Sequence, residues 1–414
     1  MTTTSPARPE SAHPTRPAPP AHLEWLRAEA ADWLRAGLVS QGQADAILGR
    51  YHAARRMTLA RLLLTLGAVF VGFGLIWLVA SNLDALPPTA RFLAVASFWV
   101  AATVGAELLA LQRGHGGPIP SPVVHAARLL AALLFGAVVF QAAQSLQVPA
   151  YEPELLGLWS LGALAHGYAV RSVVPVTVGI LTGVTWVVWD AAWSEPSALG
   201  ILLAVSALGV GAVSVAALHE AARPRGPMAA PWREAGALAV LAVLFTAALP
   251  FVDLSGFRWT TTLVVECAAA VVLAACAVLV GVRPGAPRLL WAEPVGAIAV
   301  TALAVGLLSW EAGADADRVG AADWTHAVIA VGGYLAVAAG VAVVGILRDA
   351  KHLTVSALVA LVLFTTVQSF AVFARIIEGA WLFLVVGLVL AGTGYLADRA
   401  RRQLAEILDE GDLR

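Results

Sequence analysis

The chain reads as an all-α, polytopic integral membrane protein with about twelve transmembrane helices and a short helical hairpin ahead of them. Three observations carry this. The 414 residues are 59% hydrophobic and only 13% charged, about half the charged share of a soluble domain. Apolar stretches of about 20 residues recur along most of the chain, each long enough to cross a hydrocarbon core of roughly 30 Å as a helix. The segments of about ten residues alternating apolar and polar that mark an outer-membrane barrel are not visible.

Residues 1–20 are rich in Pro, Ser and Thr without an apolar core and read as a disordered tail. No apolar stretch follows until about residue 59, so a signal peptide is not expected. In residues 21–57, Leu23, Leu26, Ala30, Trp33 and Leu34 recur at three- and four-residue steps, with Gly37 as a stop. Ser40 stands three residues before Gln43, a capping-box pattern, and Ala44, Ile47, Leu48 and Tyr51 form a second apolar stripe. The pair predicts a cytosolic helical hairpin. Its role is to pack against itself or the membrane surface, or to dock another protein.

Residues 58–398 form the transmembrane bundle and 399–414 a cytosolic tail. Within the bundle twelve spans are expected, at 60–80, 90–111, 127–146, 155–170, 173–189, 198–218, 235–251, 260–280, 289–309, 325–347, 353–373 and 378–397. The fourth and fifth are short, and the break between them, Arg171-Ser172-Val173-Val174-Pro175, is slight. Charge tests the count, because Lys and Arg gather in short cytoplasmic loops. With the N-terminus inside, 22 of the 26 basic residues fall in inside segments, leaving only Arg91, Arg258, Arg318 and Arg375 outside. Merging spans four and five would invert every later loop, so they are kept separate. The expected location is a bacterial inner (plasma) membrane, multi-pass, with both termini cytoplasmic. Ala, Gly, Pro and Arg are abundant and Lys351 is the single lysine, as in a GC-rich genome.

The net charge of −1 indicates no nucleic-acid partner; the bilayer is the partner the composition demands. Cys267 and Cys276, nine residues apart in one apolar run, turn to nearly opposite sides of a helix and are not expected to pair.

The stretches "WLRAGLVSQGQADAILGRY", "LGAVFVGFGLIWLVASNLDALP" and "LLFGAVVFQAAQSLQVPA", the last followed by "LLGLWSLGALAHGYAVRS", resemble the bacterial membrane protein family called domain of unknown function 2157. The resemblance covers residues of about 23–172. Where the family usually reads Ala-Asn-Trp-Asp, Leu83 replaces the Trp, and Leu146 and Gln147 stand where the family often has Tyr-His. The resemblance implies a membrane architecture and no particular activity.

An ionisable group inside lipid is a functional candidate by default. Glu266, about seven residues into the eighth span, is the foremost. With Gln141 and Gln144 of the third span, Asn82 of the first outside turn and Gln368 of the eleventh span, it would form an outward-facing polar vestibule if these spans are neighbours. The competing reading is that these polar side chains bond helices together. Glu107 is placed near the cytoplasmic interface, and His166 is expected to satisfy a neighbour in the bundle. No phosphate loop, His-Glu-x-x-His, metal-spaced Cys pair or Gly-x-Ser-x-Gly occurs. Neither catalysis, a cofactor nor a metal is expected. The function expected is non-enzymatic, as a scaffold, sensor or envelope-assembly factor; the alternative is a small-molecule or ion transporter.

Overall fold

The computed structural model describes residues 16–18, 20–53, 59–81, 87–194, 197–223, 226–249, 256–310, 321–373 and 392. Among these residues lie thirteen helices and one pair of three-residue strands. The chain divides into two compact units, Met1–Ala68 and Val69–Arg414.

In the first unit, α1 (Pro20–Arg35) packs on α2 (Gln41–Gly49). Gly37, at φ +69°, takes the left-handed turn that ends α1, and the Leu38 N–H closes back on the Trp33 carbonyl at 2.9 Å. The capping box opens α2 as its sequence predicts. The Gln43 N–H donates to Ser40 Oγ at 3.4 Å, and the Ser40 N–H donates to Gln43 Oε1 at 2.9 Å. Leu23, Ala30 and Ala44 are buried, while Trp33, Leu34, Ile47 and Leu48 are half-buried. Residues 16–18, within the stretch read as a tail, form strand β1 (Arg16–Ala18), paired in parallel with β2 (Tyr51–Ala53) in the register Arg16 to Tyr51.

Helix α3 (Leu59–Ser81) leads into the second unit. There follow α4 (Pro88–Gly114), α5 (Ser121–Ser145), α6 (Glu154–Ala169), α7 (Val173–Ser194), α8 (Ala198–Ala222), α9 (Ala229–Ala247), α10 (Thr261–Gly281), α11 (Leu289–Ser309), α12 (Ala321–Leu347) and α13 (Lys351–Phe373). These helices coincide with the first eleven expected spans; the twelfth, 378–397, lies outside the described residues. Nine of the described helices are long and apolar enough to cross a membrane. The chain is therefore a multi-pass helical membrane protein.

The fourth span is the exception to full length. Helix α6 has 16 residues, about 24 Å at 1.5 Å per residue, which is short of the hydrocarbon thickness. It is nonetheless a separate helix. Arg171 turns left-handed at φ +51°, and the Ser172 N–H reaches back to the Gly167 carbonyl at 2.9 Å. Helix α7 then folds against α6 so closely that a Cβ at Gly179 would stand 2.7 Å from Leu164 Cγ and 2.9 Å from its backbone nitrogen. Ser160 uses that proximity to donate from Oγ to the Gly179 carbonyl at 2.7 Å.

Helix α8 packs against α7, α9, α10 and α11. Its Ser206, Gly209, Ala212, Ser214 and Ala216 are buried, the small residues that let helix backbones approach where lipid supplies no hydrophobic drive. Helix α9 carries the contact onward to α12 and α13, where Tyr334 and Phe364 stack at 3.8 Å between ring centres and Phe245 meets both rings edge-on.

Candidate functional site

Charged side chains converge where α8 and α12 end and α9 and α11 begin. Arg233 donates from Nη2 to Glu220 Oε2 at 2.6 Å and from Nε to Glu293 Oε2 at 2.9 Å. Arg348 donates from Nη1 to the same Glu220 oxygen and from Nε to Glu293 Oε1, each at 2.5 Å. The four side chains close a neutral ring of alternating charge that ties four helix ends together. It is largely buried, with side-chain exposures of 7% at Glu293, 10% at Arg233, 11% at Arg348 and 21% at Glu220. Burial works against the charge on Arg348, yet the hydrogen bonds and charges of Glu220 and Glu293 outweigh it and hold its pKa above the ordinary arginine value. Arg348 Nη2 is buried without a partner.

Beside the ring is a cavity of about 290 Å³. Arg233 and Glu293 form its polar end, and the rest is apolar, including Val213, Val240, Val300, Val337 and Leu353. Gly296 of α11 and Gly340 of α12 line it as well, and a Cβ at either would meet nothing within 4 Å.

Two smaller polar clusters continue the ring's end of the bundle. Arg128 grips Glu107 with two bonds, from Nε at 2.9 Å and from Nη2 at 2.6 Å, while His166 Nε2 lies 3.6 Å from Glu107 Oε1. Trp232 Nε1 donates to the Tyr168 hydroxyl at 2.7 Å, which in turn lies 2.8 Å from His219 Nε2. These bonds join the ends of α4, α6 and α8 to the beginnings of α5 and α9, so one polar layer runs across the bundle. It lies at the end to which the basic loops belong.

The expected vestibule residues are not gathered in one place. Glu266 lines a small cavity of about 20 Å³ with Asp190, Ser194, Arg258 and Thr260, and its Oε1 is buried without a partner. Ser194 Oγ donates to Asp190 Oδ1 at 3.3 Å. Gln141 is buried on α5 and Gln144 exposed on the same helix, which packs on α4, α6 and α7, whereas α10 packs on α8 and α11. Gln368, with a buried unpartnered Oε1, lies on α13, whose neighbours are α12 and α9. Asn82 is outside the described residues. The fold thus sets Glu266 beside Asp190 of α7 and Arg258 rather than beside the expected glutamines, because helix adjacency does not follow the order of polar residues along the chain. Cys267 and Cys276 are free, as their spacing requires.

The ring itself is absent from the sequence expectations, which count Arg233 and Arg348 only as markers of sidedness. The available signal was an acid within two turns of a helix end: Glu107, Glu220 and Glu293 each stand near a basic boundary. Acids at that depth need partners.

Residues 31–176 match the model of a protein family described as "Predicted membrane protein (DUF2157)". The match bears out the resemblance read from the hairpin and the first spans. It ends before the ring and the cavity. No curated protein and no solved structure matches the chain.

Proposed function

We propose that this is a non-enzymatic protein of the plasma membrane, with both termini cytoplasmic, that works as a scaffold or sensor in the cell envelope. A bundle pinned at its cytoplasmic end would carry the hairpin of residues 21–57 for a protein partner. The ring carries this reading. Each of its four charged groups is engaged by two opposite charges, a state suited to holding helices and unsuited to nucleophilic or general-base work. Trp25 on α1, 60% exposed, offers a hairpin position for contact with a partner. A photo-crosslinking residue placed there in the full chain should yield a discrete heavier adduct in cells. Folded protein that gives no adduct would remove the docking role.

The Asp190 and Glu266 pair is the observation favouring transport instead. An ion transporter using it would show proton or sodium uptake into proteoliposomes that Glu266→Gln abolishes. Wild-type protein without such uptake would remove this cation-coupled alternative.

A further inference from the structure

The cavity between α11 and α12 has a shape with consequences for what it holds. The two helices touch near one end, where Leu303 Cδ2 would stand 3.0 Å from a Cβ on Gly333 and His326 Nε2 lies 3.0 Å from the Leu307 carbonyl. At the other end they are bridged by Glu293 and Arg348. Between these two fastenings sit Gly296 and Gly340, and there the helices leave a space backed by Val213, Ala237 and Val240. Pro294 lies inside α11 between lining residues Glu293 and Gly296 and removes one donor from the hydrogen-bond ladder there. The lining from Leu289 to Val300 covers about 16 Å along the helix axis at 1.5 Å per residue. A volume of 290 Å³ over that length is about 18 Å² in cross-section, far below that of a helix about 10–12 Å across. The space therefore suits an extended chain and excludes a further helix.

Its chemistry is equally restrictive. The only charges on the wall, Arg233 and Glu293, neutralise each other within the ring, so a charged ligand body would face apolar walls with no free counter-charge. The cavity also lies within the spans, where the surrounding medium is hydrocarbon. Its volume is at the lower edge of the roughly 300–1,000 Å³ of ligand clefts, enough for one chain and not for a two-chained lipid. We infer that the cavity between α11 and α12 is a binding site for a single acyl chain of a bilayer phospholipid, inserted from the membrane.

The test uses full-length protein in phosphatidylcholine vesicles doped with a phosphatidylcholine that carries a diazirine near the end of one chain. After irradiation, labelled peptides should concentrate on the cavity faces of α11 and α12. Gly296→Leu and Gly340→Leu fill the space with side chains whose Cβ meets no atom within 4 Å. Each should lower that labelling about tenfold, a loss equal to about 1.4 kcal/mol of binding. Gly105→Leu on α4, also facing open space, should not. Labelling spread evenly over the lipid-facing helices and unchanged by both cavity variants overturns the proposal. Labelling by a diazirine fatty acid with none from the phospholipid does so too. Failure of both cavity variants to fold would mean that the protein itself fills the space and would likewise overturn the proposal. Near-complete disulfide formation between Gly296→Cys and Gly387→Cys, in a background lacking Cys267 and Cys276, would place the segment 378–397 there and would also overturn it.

Discussion

Glu293 is held on both oxygens, Oε1 by Arg348 and Oε2 by Arg233, so its removal leaves two buried guanidinium groups short of a counter-charge. Glu293→Ala should cost about 3–5 kcal/mol, the usual loss when one member of a buried ion pair is deleted. Unfolding of the purified protein by heat or denaturant would read it. Replacing all four ring residues together by apolar side chains of similar size should cost far less, because no charge is then left unpaired. A single-site loss below about 1 kcal/mol would mean that water reaches the ring and that it behaves as a surface pair. At Glu266 the balance is reversed. Its Oε1 has no partner and Asp190 shares its cavity, so Glu266→Gln should leave thermal stability unchanged or raise it.

Among helices, the glycines divide into two kinds that the sequence alone does not distinguish. Gly179 sits where α7 presses on α6, with the Leu164 backbone 2.9 Å from an added Cβ. Gly296 faces empty space. The same substitution should therefore act in opposite directions. Gly179→Ala should destabilise by about 1–3 kcal/mol through overpacking of a backbone contact that cannot give way. Gly296→Ala should stabilise by up to about 1 kcal/mol, the helix-propensity difference between the two residues. Equal shifts in melting temperature for the two variants would contradict this division. The short α6 belongs to the same argument. A 16-residue helix is accommodated beside longer ones because α5 and α7 both pack against it.

For the whole molecule, the loop around Asp315 should lie outside the cell. A cysteine at that position, in protein lacking the two native cysteines, should react in intact cells with a membrane-impermeant maleimide. Protection until the cells are broken would reverse the topology and move the ring to the outer face. The sidedness rests on 22 of 26 basic residues, a signal that needs no tertiary structure. The span count is of the same kind: each span must be apolar over the bilayer thickness and satisfy its own backbone, both of which are local properties. The first eleven helices were therefore visible in the sequence, as were the Ser40 cap and the Gly37 stop. Helix neighbours are not local. Arg233 and Glu293 are 60 positions apart, and Arg348 and Glu220 are 128 apart, so no window of sequence contains the ring. Polar residues at a common depth, such as Gln144 and Glu266, give no indication of whether their helices touch. Hydrophobic patterning by itself determined that this chain crosses the membrane many times, and loop charge by itself gives the sense in which it is expected to do so. Only the packing of the helices decided that its buried charges meet in a neutral ring and that two glycines leave a cavity beside it, because those outcomes depend on which helix faces adjoin.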